Sequence, residues 1–154
     1  MLKKLYLPGI LLFTIITISS SALFAQAERP SLGVGVIIGE PTGVSVKKYM
    51  SERGAFDIGA AWSLADQNEA LHIHTNLLFQ DNITKNPSLF FYHGVGARVL
   101  FANTAKVGIR APLGLTYIFP NIPFDMFVEI APILDFTPDI AFAGNGGFGF
   151  RYYF

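Results

Sequence analysis

Gly147-Phe148-Gly149-Phe150-Arg151-Tyr152-Tyr153-Phe154 separates into two files, Phe148, Phe150, Tyr152 and Phe154 on one and Gly147, Gly149, Arg151 and Tyr153 on the other. A period of two is strand geometry, because successive side chains leave a strand on opposite faces. One face is wholly aromatic and the other is small or hydrogen-bonding. The fold turns on what medium each face meets.

The same alternation recurs toward the N-terminus. Leu32, Val34, Val36 and Ile38 alternate with Gly33, Gly35, Ile37 and Gly39, Gly39-Glu40-Pro41-Thr42 supplies a turn, and Val44, Val46, Lys48 and Met50 alternate with Gly43, Ser45, Lys47 and Tyr49. After Ser51-Glu52-Arg53-Gly54, a third strand sets Phe56, Ile58, Ala60, Trp62 and Leu64 against Asp57, Gly59, Ala61 and Ser63. Past the polar Asp66-Gln67-Asn68-Glu69, a fourth carries Leu71, Ile73, Thr75, Leu77 and Phe79 against His72, His74, Asn76 and Leu78. A longer connection from Asp81 to Pro87 leads to a fifth strand over Leu89 to Phe101, in which His93 interrupts the apolar file. The sixth runs from Val107 to Phe119, and the seventh, after Pro120-Asn121-Ile122-Pro123, from Asp125 to Phe136. Thr137-Pro138-Asp139 breaks the pattern before the eighth. Pro112 and Pro132 are expected to sit at local bulges, because proline gives the ladder no N–H and a closed sheet has no free edge to accept it, and a bulge near His93 and Gly94 is left open.

Eight alternating segments with short connections and no helical period form an antiparallel up-and-down meander, whose natural closure is an eight-stranded barrel. The chain is 51% hydrophobic and 14% charged with zero formal net charge, so it has no electrostatic footprint for nucleic acid. Cysteine is absent, which excludes disulfides and thiolate metal sites. Lys3 and Lys4, the apolar run Leu5 to Ile18, Ser19-Ser20-Ser21 and Ala25-Gln26-Ala27 have the layout of a secretory signal peptide, cut after Ala27 with Ala25 as the alternative. Residues 1–27 are thus expected to be a leader and 28–154 the barrel domain. After the leader, no apolar run approaches the roughly 20 residues of a spanning helix, so membrane insertion would use strands.

A soluble carrier barrel would turn its apolar files inward and its Lys, Glu and Thr outward. Here the second file is Gly, Ala and Ser punctuated by Lys47, Arg98, Arg110 and Arg151 and by Asp57, Asp125, Glu129 and Asp135. Small residues and balanced charges suit the narrow interior of an eight-stranded barrel, with the apolar files meeting lipid. The aromatics also cluster toward strand ends, as membrane girdles do. Strand order predicts two ion pairs, Asp125 with Arg151 and Lys47 with Asp57, while Arg98 and Arg110 need Glu129 or Asp135 as counter-charge. The lumen is read as plugged.

The closing aromatic strand, Phe148, Phe150, Tyr152 and Phe154, resembles the assembly signal of bacterial outer-membrane barrels, and the layout is similar to the small OmpA and OmpX type. Gly39-Glu40-Pro41-Thr42-Gly43, Leu71-His72-Ile73-His74, Ala111-Pro112-Leu113-Gly114-Leu115, Glu129-Ile130-Ala131-Pro132-Ile133-Leu134-Asp135 and Gly149-Phe150-Arg151-Tyr152-Tyr153-Phe154 resemble, in that order, an uncharacterised family of small outer-membrane β-barrel proteins of diderm bacteria. The resemblance implies an outer-membrane location, contact with its lipid and with the barrel-assembly machinery, and no activity. Together with the composition, it leads to a monomer in a structural or surface-interaction role.

Catalytic and ligand-binding chemistry finds little footing. His72 and His74 share a face, but two imidazoles lack the further ligands of a tetrahedral site. The lipid-modifying outer-membrane barrels are the alternative class, together with a lipocalin-like carrier. The family signal of the deacylase kind is a His and a Ser two apart, and His72 is followed by His74 instead. Gly144-Asn145-Gly146-Gly147-Phe148-Gly149 spells a dinucleotide fingerprint but enters a strand, with no helix to present its N-terminus to phosphate. No catalytic, cofactor or metal residue is assigned, and no cofactor is expected.

Overall fold

The computed structural model describes residues 31–62 and 70–154. The expected leader and its cleavage site, the end of the third strand at Ser63 and Leu64, and the turn at Asp66 to Glu69 lie outside the described residues. Within them are β1 (Leu32–Glu40), β2 (Thr42–Tyr49), β3 (Gly54–Trp62), β4 (Leu71–Asn82), β5 (Leu89–Phe101), β6 (Lys106–Arg110), β7 (Leu113–Ile118), β8 (Phe124–Thr137) and β9 (Ala141–Tyr153). Neighbouring strands pair antiparallel, β6 and β7 each with β5 and β8 rather than with one another, and β9 pairs with β1 to close the sheet. β6 and β7 are two halves of one stave, because both lie between β5 and β8. The described residues therefore form an eight-stave, antiparallel, all-β barrel.

The prolines behave differently from the expectation of bulges. The pairing of β4 with β5 runs without a slip through His93, and that of β8 with β9 runs without a slip through Pro132. β6 and β7 keep one register against both neighbours across the Ala111-Pro112 break. Each proline retains the accepting half of its pair: Gly94 N–H donates to the Pro112 carbonyl at 2.9 Å, and Ala111 N–H donates to the Pro132 carbonyl at 3.0 Å. Only the return bond from the missing N–H is forfeited. Because the two prolines fall at neighbouring positions on facing staves, both losses coincide where the sixth strand divides. The register shift in this region lies instead between Val107 and Gly108, which face Thr137 and Asp135 and leave Phe136 as the extra residue. β9 also begins at Ala141, earlier than the Gly147 start of the aromatic alternation, because Ala141 to Gly146 pair with β8 without alternating in hydrophobicity.

The staves are staggered. A path of paired residues leads from Gly33 through Lys47, Asp57, Asn76, Gly96, Arg110 and Ile133 to Ala143. It begins near the start of β1 and ends beyond its far rim, since the β1 to β9 ladder stops at Glu40 opposite Gly146. This is the shear that closure of a tilted sheet requires. Its result is a stepped rim, with the β8–β9 hairpin standing above the β1–β2 turn.

Polarity is inverted relative to a soluble protein. Trp62 is 52% exposed and Ile109 47%, whereas Lys47 is 0% and Arg151 1% exposed. Asp57, Arg98, Arg110, Asp125 and Asp135 are buried as well. A small apolar cluster of Ala55, Leu78, Tyr92 and Phe127 fills part of the interior, flanked by Ile37 and Tyr49. Replacing Pro112 by alanine should leave the pairing of β5, β7 and β8 unchanged and move the unfolding free energy by no more than the net worth of one hydrogen bond, about 0.5–1.5 kcal/mol. Amide NMR of the variant together with urea unfolding checks both parts.

Candidate functional site in the charged lumen

The eight charged residues assigned to the interior all reach it, and the structure groups them into two clusters. In the first, Arg151 of β9 is the hub. Its Nη2 lies 3.3 Å from Asp57 Oδ2, its Nη1 3.6 Å from Asp125 Oδ2, and its Nε donates to Ser45 Oγ at 2.9 Å. The guanidinium also stacks 3.7 Å from the centroid of Phe127. Asp57 receives two further bonds, from Ser45 Oγ at 3.2 Å and Asn76 Nδ2 at 2.7 Å, and Asp125 receives one from the Tyr153 hydroxyl at 2.6 Å. The expected pair of Asp125 with Arg151 is present.

The expected pair of Lys47 with Asp57 is not. The two are direct cross-strand neighbours, yet Asp57 is engaged by Arg151, Ser45 and Asn76. Lys47 turns elsewhere: its Nζ donates to Gln80 Oε1 at 3.4 Å and lies 4.6 Å from the Tyr49 ring centroid and 5.5 Å from that of Tyr92. Two aromatic faces and an amide thus replace the carboxylate as the ammonium's nearest partners.

In the second cluster Arg98 binds Asp135 with two parallel bonds, Nε to Oδ1 at 2.9 Å and Nη2 to Oδ2. Arg110 Nη2 donates to Glu129 Oε1 at 2.6 Å, and the Tyr92 hydroxyl donates to the other oxygen at 2.9 Å. The sequence left open which acid serves which arginine, and the register answers it. Arg98 faces Gly108, which faces Asp135, so a position without a side chain lies between the partners. A Cβ at Gly108 would lie 2.5 Å from Asp135 Oδ1. The same device carries Tyr92 over Gly114 to Glu129, and Arg151 over Gly35 to Ser45 and Asp57. The glycines of the inner file are the floor over which long side chains meet.

His72 and His74 point inward with ring centroids 5.3 Å apart, edge to face. His72 Nδ1 is 3.3 Å from Asn145 Nδ2 across the lumen, and His74 Nε2 is 3.6 Å from Asp57 Oδ1. Among the described residues, no three His, Cys, Asp or Glu side chains are grouped to hold a metal. Tyr92, Tyr153, Ser45, Asn76 and Gln80 are the members of the network that sequence reasoning missed. Alternation placed Tyr92, Tyr153, Ser45 and Asn76 on the inner file, but only the stagger reveals which charge each one reaches. Chemically, the arrangement ties β9 to β3 and β5 to β8, while Arg110 Nε and Nη1 and Asp125 Oδ1 are buried without a hydrogen-bond partner.

The phenylalanines and tyrosine of the closing strand lie on the opposite wall. Phe148, Phe150, Tyr152 and Phe154 are exposed, and their rings meet edge to face, Phe148 with Phe150 at 6.0 Å and Tyr152 with Phe154 at 4.9 Å.

No family model matches the chain, and no curated protein matches it. Among solved structures it is similar to the N-terminal β-barrel domain of OprF from Pseudomonas aeruginosa, with a TM-score of 0.63 and 11% identity over 82% of this chain and 98% of that one.

Truncating one member of a buried pair strands the other charge, so Asp135→Ala should lower the unfolding free energy by about 3–5 kcal/mol. Gly108→Val, which touches neither charge, should lower it by a comparable amount by filling the floor between them. The double replacement Arg98→Met with Asp135→Leu should recover most of the loss. Urea unfolding of all three variants in one lipid or detergent checks the set.

Proposed function

We propose that this chain is an exported, integral β-barrel protein of a bacterial outer membrane, monomeric and non-catalytic, with a lumen plugged by its ion-pair network and a structural or surface-interaction role. The observation that carries this reading is the inversion of polarity. A wall of exposed Val, Ile, Leu and Phe is costly in water and stable in hydrocarbon, where closure of the barrel also pairs the strand backbones between its rims.

The wall has the depth profile of a bilayer. At one rim Tyr117 packs on Phe119 at 5.1 Å and Phe124 on Tyr152 at 5.2 Å, where β7 and β9 end and β8 begins. At the other stand Trp62, Phe101 and Phe136, at or beside the ends of β3, β5 and β8. Lys48, exposed near the end of β2, sits where its stem carries the ammonium to the headgroups. The filled interior argues against a lipocalin-like carrier, whose ligand would need the space that Arg151, Tyr92 and Lys47 occupy.

On this reading residues 1–27 are a leader removed near Ala27, and the chain reaches its membrane through the barrel-assembly machinery, which grips the strand bearing Phe148, Phe150, Tyr152 and Phe154. Outer-membrane lipid is its solvent, and it has no nucleic-acid partner. Fractionation and an unheated gel test the proposal. The chain should appear in the outer-membrane fraction and migrate as a compact band that shifts only on boiling, with no ion conductance in planar bilayers. Recovery as a soluble periplasmic protein with no heat shift would refute it.

A further inference from the structure

Among the described residues, the stepped rim leaves a stretch of β9 backbone without a partner on its β1 side. β9 pairs with β8 up to Ala141 opposite Asp135, but with β1 only as far as Gly146 opposite Glu40. Phe154 N–H donates to the Leu32 carbonyl of β1, and Tyr153 N–H donates to the Pro123 carbonyl on the β8 side. By the alternation of an antiparallel ladder, even-numbered residues of β9 direct their N–H and C=O toward β1 and odd-numbered ones toward β8. The N–H and C=O groups of Phe142 and Gly144 therefore face outward from the hairpin, where no described residue pairs with them.

Three properties distinguish this edge from a blunted one. Ala141-Phe142-Ala143-Gly144-Asn145 contains no charge and no proline, the devices that usually protect a sheet edge. It is held straight by an unbroken ladder to β8 from Ala131 to Asp135. Phe142 is 87% exposed, and a Cβ at the neighbouring Gly144 would meet nothing within 4 Å, so an apolar ring stands beside open space on the same face.

We propose that this edge is a strand-addition site for an extended, uncharged segment of another polypeptide outside the membrane. The segment would continue the line of β1 past Glu40, antiparallel to β9, exchanging two hydrogen bonds with Phe142 and two with Gly144. Its residue opposite Gly144 takes a large apolar or aromatic side chain, which fills the open space beside Phe142. Its residue opposite Ala143 points to the lumen mouth and is small or polar. A second copy of this chain does not fit within one membrane. Identical antiparallel edges are related by a two-fold axis normal to the sheet, which would invert one barrel relative to the other. That exclusion rests on the membrane reading above, whereas the edge itself does not.

The absence of cysteine gives a clean test. An Ala143→Cys variant, with Ala105→Cys in the β5–β6 loop as reference, is folded in detergent and accepted only if it shows the heat shift, so that failure of the barrel reading is scored separately. Each is equilibrated in glutathione buffer with the capped peptide Thr-Phe-Cys-Val-Thr, or with the same peptide N-methylated at Phe and Val. The site predicts a mixed disulfide favoured about tenfold at position 143 over position 105, through the effective concentration that pairing supplies. The preference should vanish with the N-methylated peptide and with Gly144→Pro added, a change that removes an edge donor but no bond to β8. Equal yields at both positions, or indifference to N-methylation, would overturn the proposal and leave water as the edge's partner. Disulfide-linked barrels that outcompete the peptide would overturn it in favour of a second copy.

Discussion

An eight-stave barrel encloses a space only about as wide as the side chains that fill it, so a charge placed inside has few directions in which to find a partner. Desolvating that charge is expensive unless an opposite charge, a dipole or a ring meets it at contact distance. The glycines resolve the geometry here. Gly108 lets Arg98 lie flat against Asp135, Gly114 lets Tyr92 reach Glu129, and Gly35 lets Arg151 span to Asp57. Take away that floor and the long side chains would have to stand upright into one another. The composition follows from the constraint: among the described residues most glycines lie on the crowded inner file and most phenylalanines on the exposed wall, Phe127 being an interior exception.

Shear links the lumen to the rim. The stagger that brings Arg98 opposite Gly108 also carries the last hairpin past the end of β1, exposing the backbone of Phe142 and Gly144. A closed barrel has no edge along its middle, yet its rim is a staircase, and the highest step beside the lowest leaves, among the described residues, a short edge paired on one side only. Packing inside and recognition outside are consequences of the same register.

What the sequence revealed follows from this division. Period-two alternation tells which face a side chain takes, so the outward position of Trp62, Ile109 and Phe150 and the inward position of Asp57, Arg110 and Arg151 could be read directly. Alternation says nothing of height around a staggered ring. For that reason alternation matches Lys47 to its cross-strand neighbour Asp57, although Arg151, arriving over Gly35, holds that carboxylate, and Tyr49 and Tyr92 take the lysine instead. The missing N–H of proline predicts a local bulge. At Pro112 and Pro132 the carbonyls still accept, and the ladder loses bonds without losing register. The upper half of β9 was invisible because Ala141 to Gly146 show no hydrophobic alternation, only continuous pairing with β8.

The chain contains a single tryptophan, Trp62, on the apolar wall beside a rim. Its fluorescence in reconstituted vesicles therefore reports directly on which medium that wall meets. If the wall faces hydrocarbon, the emission will be blue-shifted, quenched by phospholipids brominated along the acyl chain, and shielded from aqueous iodide. Emission that brominated lipids leave untouched would contradict the account, whether iodide quenches it or the indole proves to be enclosed by protein.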